Sequence, residues 1–250
     1  MPARKVDIVF CLDTSDSMKP CIDGVRENIN RLIMQLQQAS FDWRIDYVAH
    51  CMPGKGVYRT LSVGGGTTGL LYRSGSAEGR FFTKDVDLFR QKLGKLDVCG
   101  DEDMLCALDT ALDFPFGPAN ETQRVVVLIS DEPFETNEEE AFKLALPKVP
   151  DIMEKIRARH ITFLAVMPVR DGGVVEKLAM VDRADIIPVE EGDLGMSKVD
   201  MADLFSQLGK TISVSTMQSS GEENYQRALF DQDKWGTAGS YDPIGDKGRR

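Results

Sequence analysis

Apolar runs of strand length alternate along this chain with stretches of helical period, which predicts a parallel sheet covered by helices on both faces. Val6 to Leu12 reads as a buried strand. After it Ile22, Val25, Ile29, Leu32, Ile33 and Leu36 recur at three and four residues, one face of a long helix whose start suits Pro20. Trp43 to Ala49 predicts a second strand and Phe81-Phe82 a short third. Val86, Phe89, Leu93 and Leu96 mark a short helix, and Met104, Leu105, Leu108, Ala111 and Leu112 another. Val125 to Ile129 is continuous and mostly β-branched, as in a strand buried on both faces. Ile161 to Met167 repeats that pattern, and Ile186-Ile187 predicts the last strand. Helical stretches fall near 138–158 and 174–180, and a final helix carries Met201, Leu204, Phe205, Leu208 and Ile212.

Two stretches break the alternation. Residues 52–80 are glycine-rich without helical period and predict an irregular insertion or hairpin; residues 217–250 form a polar tail rich in Gly, Asp, Gln and Ser. With no internal repeat and no second core, the expected organisation is one domain over residues 1–216 followed by the tail 217–250. The fold class is α/β, with a doubly wound, mostly parallel six-stranded sheet and helices on both faces.

Composition narrows the possible functions. Of 250 residues, 42% are hydrophobic, too many for a disordered chain. Asp and Glu outnumber Lys and Arg 40 to 30, and a net charge of −10 repels phosphate backbones and anionic lipids, so no nucleic-acid or membrane partner is expected. No apolar run approaches the ~20 residues of a membrane span, and the start MPARKVDIVFCLD is no signal peptide, so a cytoplasmic protein is expected. Five separated cysteines without a Cys-x-x-Cys pair predict reduced thiols.

The chemistry gathers at two strand ends. Asp13-Thr14-Ser15-Asp16-Ser17 follows the first strand, and Asp131 follows the central one in Ile-Ser-Asp-Glu-Pro. Ligands of open α/β sheets bind outside the carboxyl ends of strands where the winding reverses, so these groups converge if the two strands are neighbours. Two carboxylates and two hydroxyls form an all-oxygen set suited to Mg²⁺ or Mn²⁺. The competing reading is a turn and helix N-cap, positions that Asp and Ser also favour.

In these residues the sequence resembles the von Willebrand factor type A (vWA) domain, whose metal-ion-dependent adhesion site begins with Asp-x-Ser-x-Ser after a hydrophobic first strand. The resemblance spans roughly residues 5–216 and rests on VDIVFCLDTSDSM, VVVLISDEP and MLCALDTAL. It implies that Ser15 and Ser17 bind the metal directly, with Asp13 and Asp131 acting largely through ordered waters. The family adds a threonine from a middle loop, but the corresponding loop here reads Val98-Cys99-Gly100-Asp101-Glu102-Asp103. Asp101 is the favoured substitute; Glu102, Asp103, and Thr67 or Thr68 of GGGTTG are the alternatives. A carboxylate there partly neutralises the cation, so the site should hold metal more tightly and a partner's acid less tightly. The resemblance implies an intracellular bacterial scaffold that binds a protein partner presenting Asp or Glu, in an assembly beside an ATPase, kinase, phosphatase or stress-resistance system.

Other readings are weaker. Gly64 to Gly69 satisfies Gly-x-Gly-x-x-Gly, but no amphipathic helix follows, so a loop is expected rather than a dinucleotide site. A metal-assisted phosphohydrolase would use Asp13 as nucleophile and a second acid two residues on, where Ser15 stands. Neither His50 nor His160 is expected near the motif, so acid-base partners are scarce and no catalytic residue is expected. A vWA module with a closed, purely structural metal site is the remaining alternative.

Overall fold

A computed structural model describes residues 4–51, 59–61, 81–96, 104–134, 149–191, 196 and 198–218. Strand β1 (Lys5–Asp13) leads through a 3₁₀ turn, Asp16–Met18, into α1 (Lys19–Gln38), and the chain returns as β2 (Asp42–Cys51). Then follow β3 (Arg59–Leu61), α2 (Val86–Leu93), α3 (Met104–Leu112), β4 (Thr122–Ile129), α4 (Val149–Ala158), β5 (Ile161–Met167), α5 (Val174–Ala179), β6 (Ala184–Pro188) and α6 (Met201–Gln218). The six strands form one sheet in the order β3-β2-β1-β4-β5-β6, all parallel except β3, which runs antiparallel to β2. The doubly wound α/β sheet expected from the sequence is thus present.

Every residue of β1 except Lys5 is buried, because β2 and β4 flank it and helices cover both faces. Alternation along the strands sorts the core into two clusters. Val6, Ile8, Phe10 and Leu12 join Val125, Val127 and Ile129 of β4 beneath α1 and α6. Val9 and Cys11 join Val126 and Leu128 beneath α3, α4 and α5. On the first face the Phe10 ring lies 5.8 Å from Phe205 and 5.9 Å from Phe89. α1 places Cys21, Ile22, Val25, Ile29, Leu32, Ile33 and Leu36 against this core; each fully buried Leu or Ile contributes roughly 1.5–3 kcal/mol.

The third strand differs from expectation: it is Arg59–Leu61, inside the glycine-rich stretch, and pairs with Ala49–Cys51. Phe81-Phe82 does not extend into a strand, because Phe82 has φ +63°. The buried Asp46 carboxylate fixes that kink by accepting from Phe82 N at 2.9 Å, and the next residue, Thr83, makes a single antiparallel bridge with Ile45. Helix α6 runs to Gln218, two residues past the expected boundary at 216. The remaining tail, 219–250, and most of 52–80 lie outside the described residues.

At the amino-terminal edge of the sheet, Asp7 is buried and takes both arms of Arg44, Nε at 2.8 Å and Nη2 at 2.6 Å. Gly117 N donates to the same carboxylate at 2.8 Å, and the Arg44 guanidinium lies 4.8 Å over the Phe82 ring. This fork is far from the strand ends that carry the candidate chemistry.

Candidate functional site

The winding reverses at β1. Its chain continues to β2 on one side, whereas β4 pairs with it on the other, with Leu12 opposite Ile129. The crevice between the carboxyl ends of β1 and β4 is therefore the switch point of the sheet. Asp13 ends β1, and Ser130 and Asp131 directly follow β4; all three are fully buried.

Asp13 is held on both oxygens. Ser15 N donates to Oδ1 at 2.7 Å, closing an Asx turn, and Ser130 Oγ lies 2.7 Å from Oδ2. Burial dominates its electrostatics and pushes its carboxyl up to about 6; the two donors pull it down, and the nearby Asp131 charge pushes it up again. Among the described residues, no cationic side chain is among these influences. Cys21, in the first turn of α1, has its thiol pushed far up by burial and then by the charges of Asp13 and Asp131, so it stays protonated beside the pair.

Ser15 is 8% exposed and Ser17 is half-buried; their hydroxyls meet at 3.0 Å. Neither caps the helix: Ser15 precedes the 3₁₀ turn without a side-chain capping bond, and the N-cap of α1 is Met18. The N-cap reading thus fails for the hydroxyls, while the turn half of it is present in Asp13. Two buried carboxylates whose charges repel, with two hydroxyls not engaged in capping, are a donor set that hard divalent cations prefer.

The structure brings Asp13, Ser15, Ser17 and Asp131 to one crevice. Asp101, Glu102, Asp103, Thr67 and Thr68 all lie outside the described residues, as do the acids of the 135–140 stretch; Glu132 is half-buried. Among the described residues, no group of three His, Cys, Asp or Glu side chains comes together to hold a metal. One expectation is corrected: strand register pairs His50 of β2 with Asp13, so that histidine is close to the motif although distant in sequence. His160 sits just before β5, at the opposite edge. Sequence reasoning passed over Ser130; a hydroxyl residue between a buried strand and Asp131 was the available signal. No helix among the described residues is long and apolar enough to cross a membrane.

No family model and no curated protein matches the chain in sequence. Solved structures resemble it in fold. A von Willebrand factor type A structure from Catenulispora acidiphila superposes with TM-score 0.53 at 12% identity, over 84% of this chain and 43% of that one. The SpRpn10 VWA domain gives TM-score 0.52 at 10% identity, over 81% and 94% of the two chains. The open conformation of the pilus adhesin SpaC from Lactobacillus rhamnosus GG gives TM-score 0.50 at 10% identity, over 86% and 31%. The chain thus has the vWA fold, spanning under half of the Catenulispora chain and under a third of the adhesin.

Proposed function

We propose that this chain is a metal-dependent protein-protein recognition module. Asp13, Ser15, Ser17 and Asp131 hold Mg²⁺ or Mn²⁺, Asp101 of the middle loop completes the set, and a partner protein presents an Asp or Glu to the open position. The cation supplies an electrophilic centre for that carboxylate. The rest falls to the chain's own residues: Ser15 N and Ser130 orient the buried Asp13 carboxylate. The observation that carries this reading is the fully buried pair Asp13 and Asp131 at the switch point, beside hydroxyls that cap no helix.

A binding role fits better than an enzymatic one. Asp13 is fully buried with both oxygens engaged, whereas a nucleophile for phosphoryl transfer must reach an incoming phosphorus. The pilus adhesin's shared fold supports a role in recognition. The setting we propose is a cytoplasmic bacterial assembly beside an ATPase, kinase or phosphatase.

Thermal unfolding in Mg²⁺, in Mn²⁺ and in chelator tests the site. The wild type should gain stability with the logarithm of ion concentration above Kd, by about 2.7 kcal/mol at a hundredfold excess, and Asp13→Ala should gain none. No response in the wild type to either ion overturns the metal reading.

The burial of Ser15 favours a second reading, a closed structural site. Ser15→Ala separates the two: under recognition it keeps the fold but fails to retain proteins that the wild type holds in Mg²⁺ and releases in EDTA. Under the structural reading it lowers stability and leaves such retention unchanged.

A further inference from the structure

Ser130 is fully buried between the ends of β1 and β4, and its hydroxyl has two acceptors within reach: Asp13 Oδ2 at 2.7 Å and the Glu132 carbonyl at 2.9 Å. The same oxygen accepts from Glu132 N at 3.1 Å, and Ser130 N donates to Val166 O at 3.0 Å, so its backbone is fixed to β5. A hydroxyl carries one proton and can satisfy one of the two acceptors at a time. We infer that Ser130 is a positioning residue that couples the candidate metal site to the loop 131–134 after β4, by turning its proton either to Asp13 or to the Glu132 carbonyl.

The two arrangements have opposite consequences. A proton on Asp13 Oδ2 supports the charged carboxylate and releases the Glu132 carbonyl; a proton on that carbonyl tightens the loop and leaves Asp13 one donor short. With a cation bound, the charged form of Asp13 would be favoured and Ser130 would keep its proton on Oδ2, a population shift between discrete states. Metal occupancy would thereby reach the backbone at Glu132. This inference rests on the metal reading above.

The test is an Mg²⁺ titration of the full chain followed by amide NMR, on the wild type, Ser130→Ala and Ser130→Thr. In the wild type and Ser130→Thr, the Glu132 amide should shift saturably. In Ser130→Ala, affinity should fall about tenfold or more, as when a metal ligand loses its hydrogen-bonded support, and the Glu132 amide should stay put even at saturation. A wild-type shift in saturated Ser130→Ala would reflect mere proximity to the ion and overturn the coupling, as would unchanged affinity. Wild-type binding with a stationary Glu132 amide overturns the coupling alone and decides the matter even if the alanine variant does not fold. No Mg²⁺ response at any amide around Asp13 overturns the metal reading, and the coupling with it.

Discussion

Asp13 shows how one buried charge makes stability depend on pH. Its carboxyl lies at about 6 in the folded chain against an ordinary 3.8, so between those values the folded state keeps a proton that the unfolded chain has released. The contribution of Asp13 to stability without metal is therefore fullest below about pH 4 and falls, by up to about 3 kcal/mol, as pH rises through 6. Denaturant unfolding in chelator at pH 4.5 and 7 should show this slope in the wild type and lose most of it in Asp13→Asn. With Mg²⁺ present the trend should oppose this, since a ligand must be deprotonated to bind. At the other edge of the sheet, Arg44→Ala strands Asp7, which is 1% exposed, with Gly117 N as its remaining donor among the described contacts. The expected loss is about 2 kcal/mol by urea unfolding, below the range for fully buried pairs because Arg44 is 39% exposed. Asp13 and Asp131 were legible because each follows an apolar run long enough to mark a strand end, although Asp also suits a turn there. Ser130 was not legible, since a serine after a strand is also an ordinary turn residue and its partner Asp13 is 117 positions away.

Among the elements, β1, β4 and β5 could be read from sequence because a strand buried on both faces must be a near-continuous apolar run. β3 could not: Arg59-Thr60-Leu61 has no such run and becomes a strand through its pairing with the end of β2. Phe81-Phe82 misled for the converse reason, since apolar character says nothing of the positive φ that Asp46 holds in place. The helices had a clear period, but their contacts needed the structure. α6 lies on α1 at Gly24 and Gly209. A Cβ on Gly24 would meet Met201 at Cγ, 2.7 Å away, and at Cβ, 3.3 Å away, atoms held close to the α6 backbone, so Gly24→Ala should lower stability despite the gain in helix propensity. A Cβ on Gly209 would meet Gln35 at its Cβ and Cδ, each at 3.1 Å, and at its amide oxygen. Gln35 would have to leave its 2.8 Å bond to Ser206 Oγ, so Gly209→Ala should lower stability by about 1 kcal/mol net, measured by thermal melting of both variants side by side.

For the whole molecule, the alternation of apolar runs was enough to predict a doubly wound sheet, and the strand order then placed the candidate residues in one crevice without any further assumption. Asp101, the proposed fifth donor, lies outside the described residues. The same order has a consequence during synthesis. β1 is made well before its second neighbour, which begins with Thr122, opposite Lys5, more than a hundred residues later in the chain. At roughly 5–20 residues per second, some 6–25 s pass between the emergence of β1 and that of β4. Until β4 emerges the apolar segment Val6 to Leu12 keeps at least one edge open, and the last helix that covers it comes later still, so for a nascent chain the greatest hazard is the strand that ends up most protected.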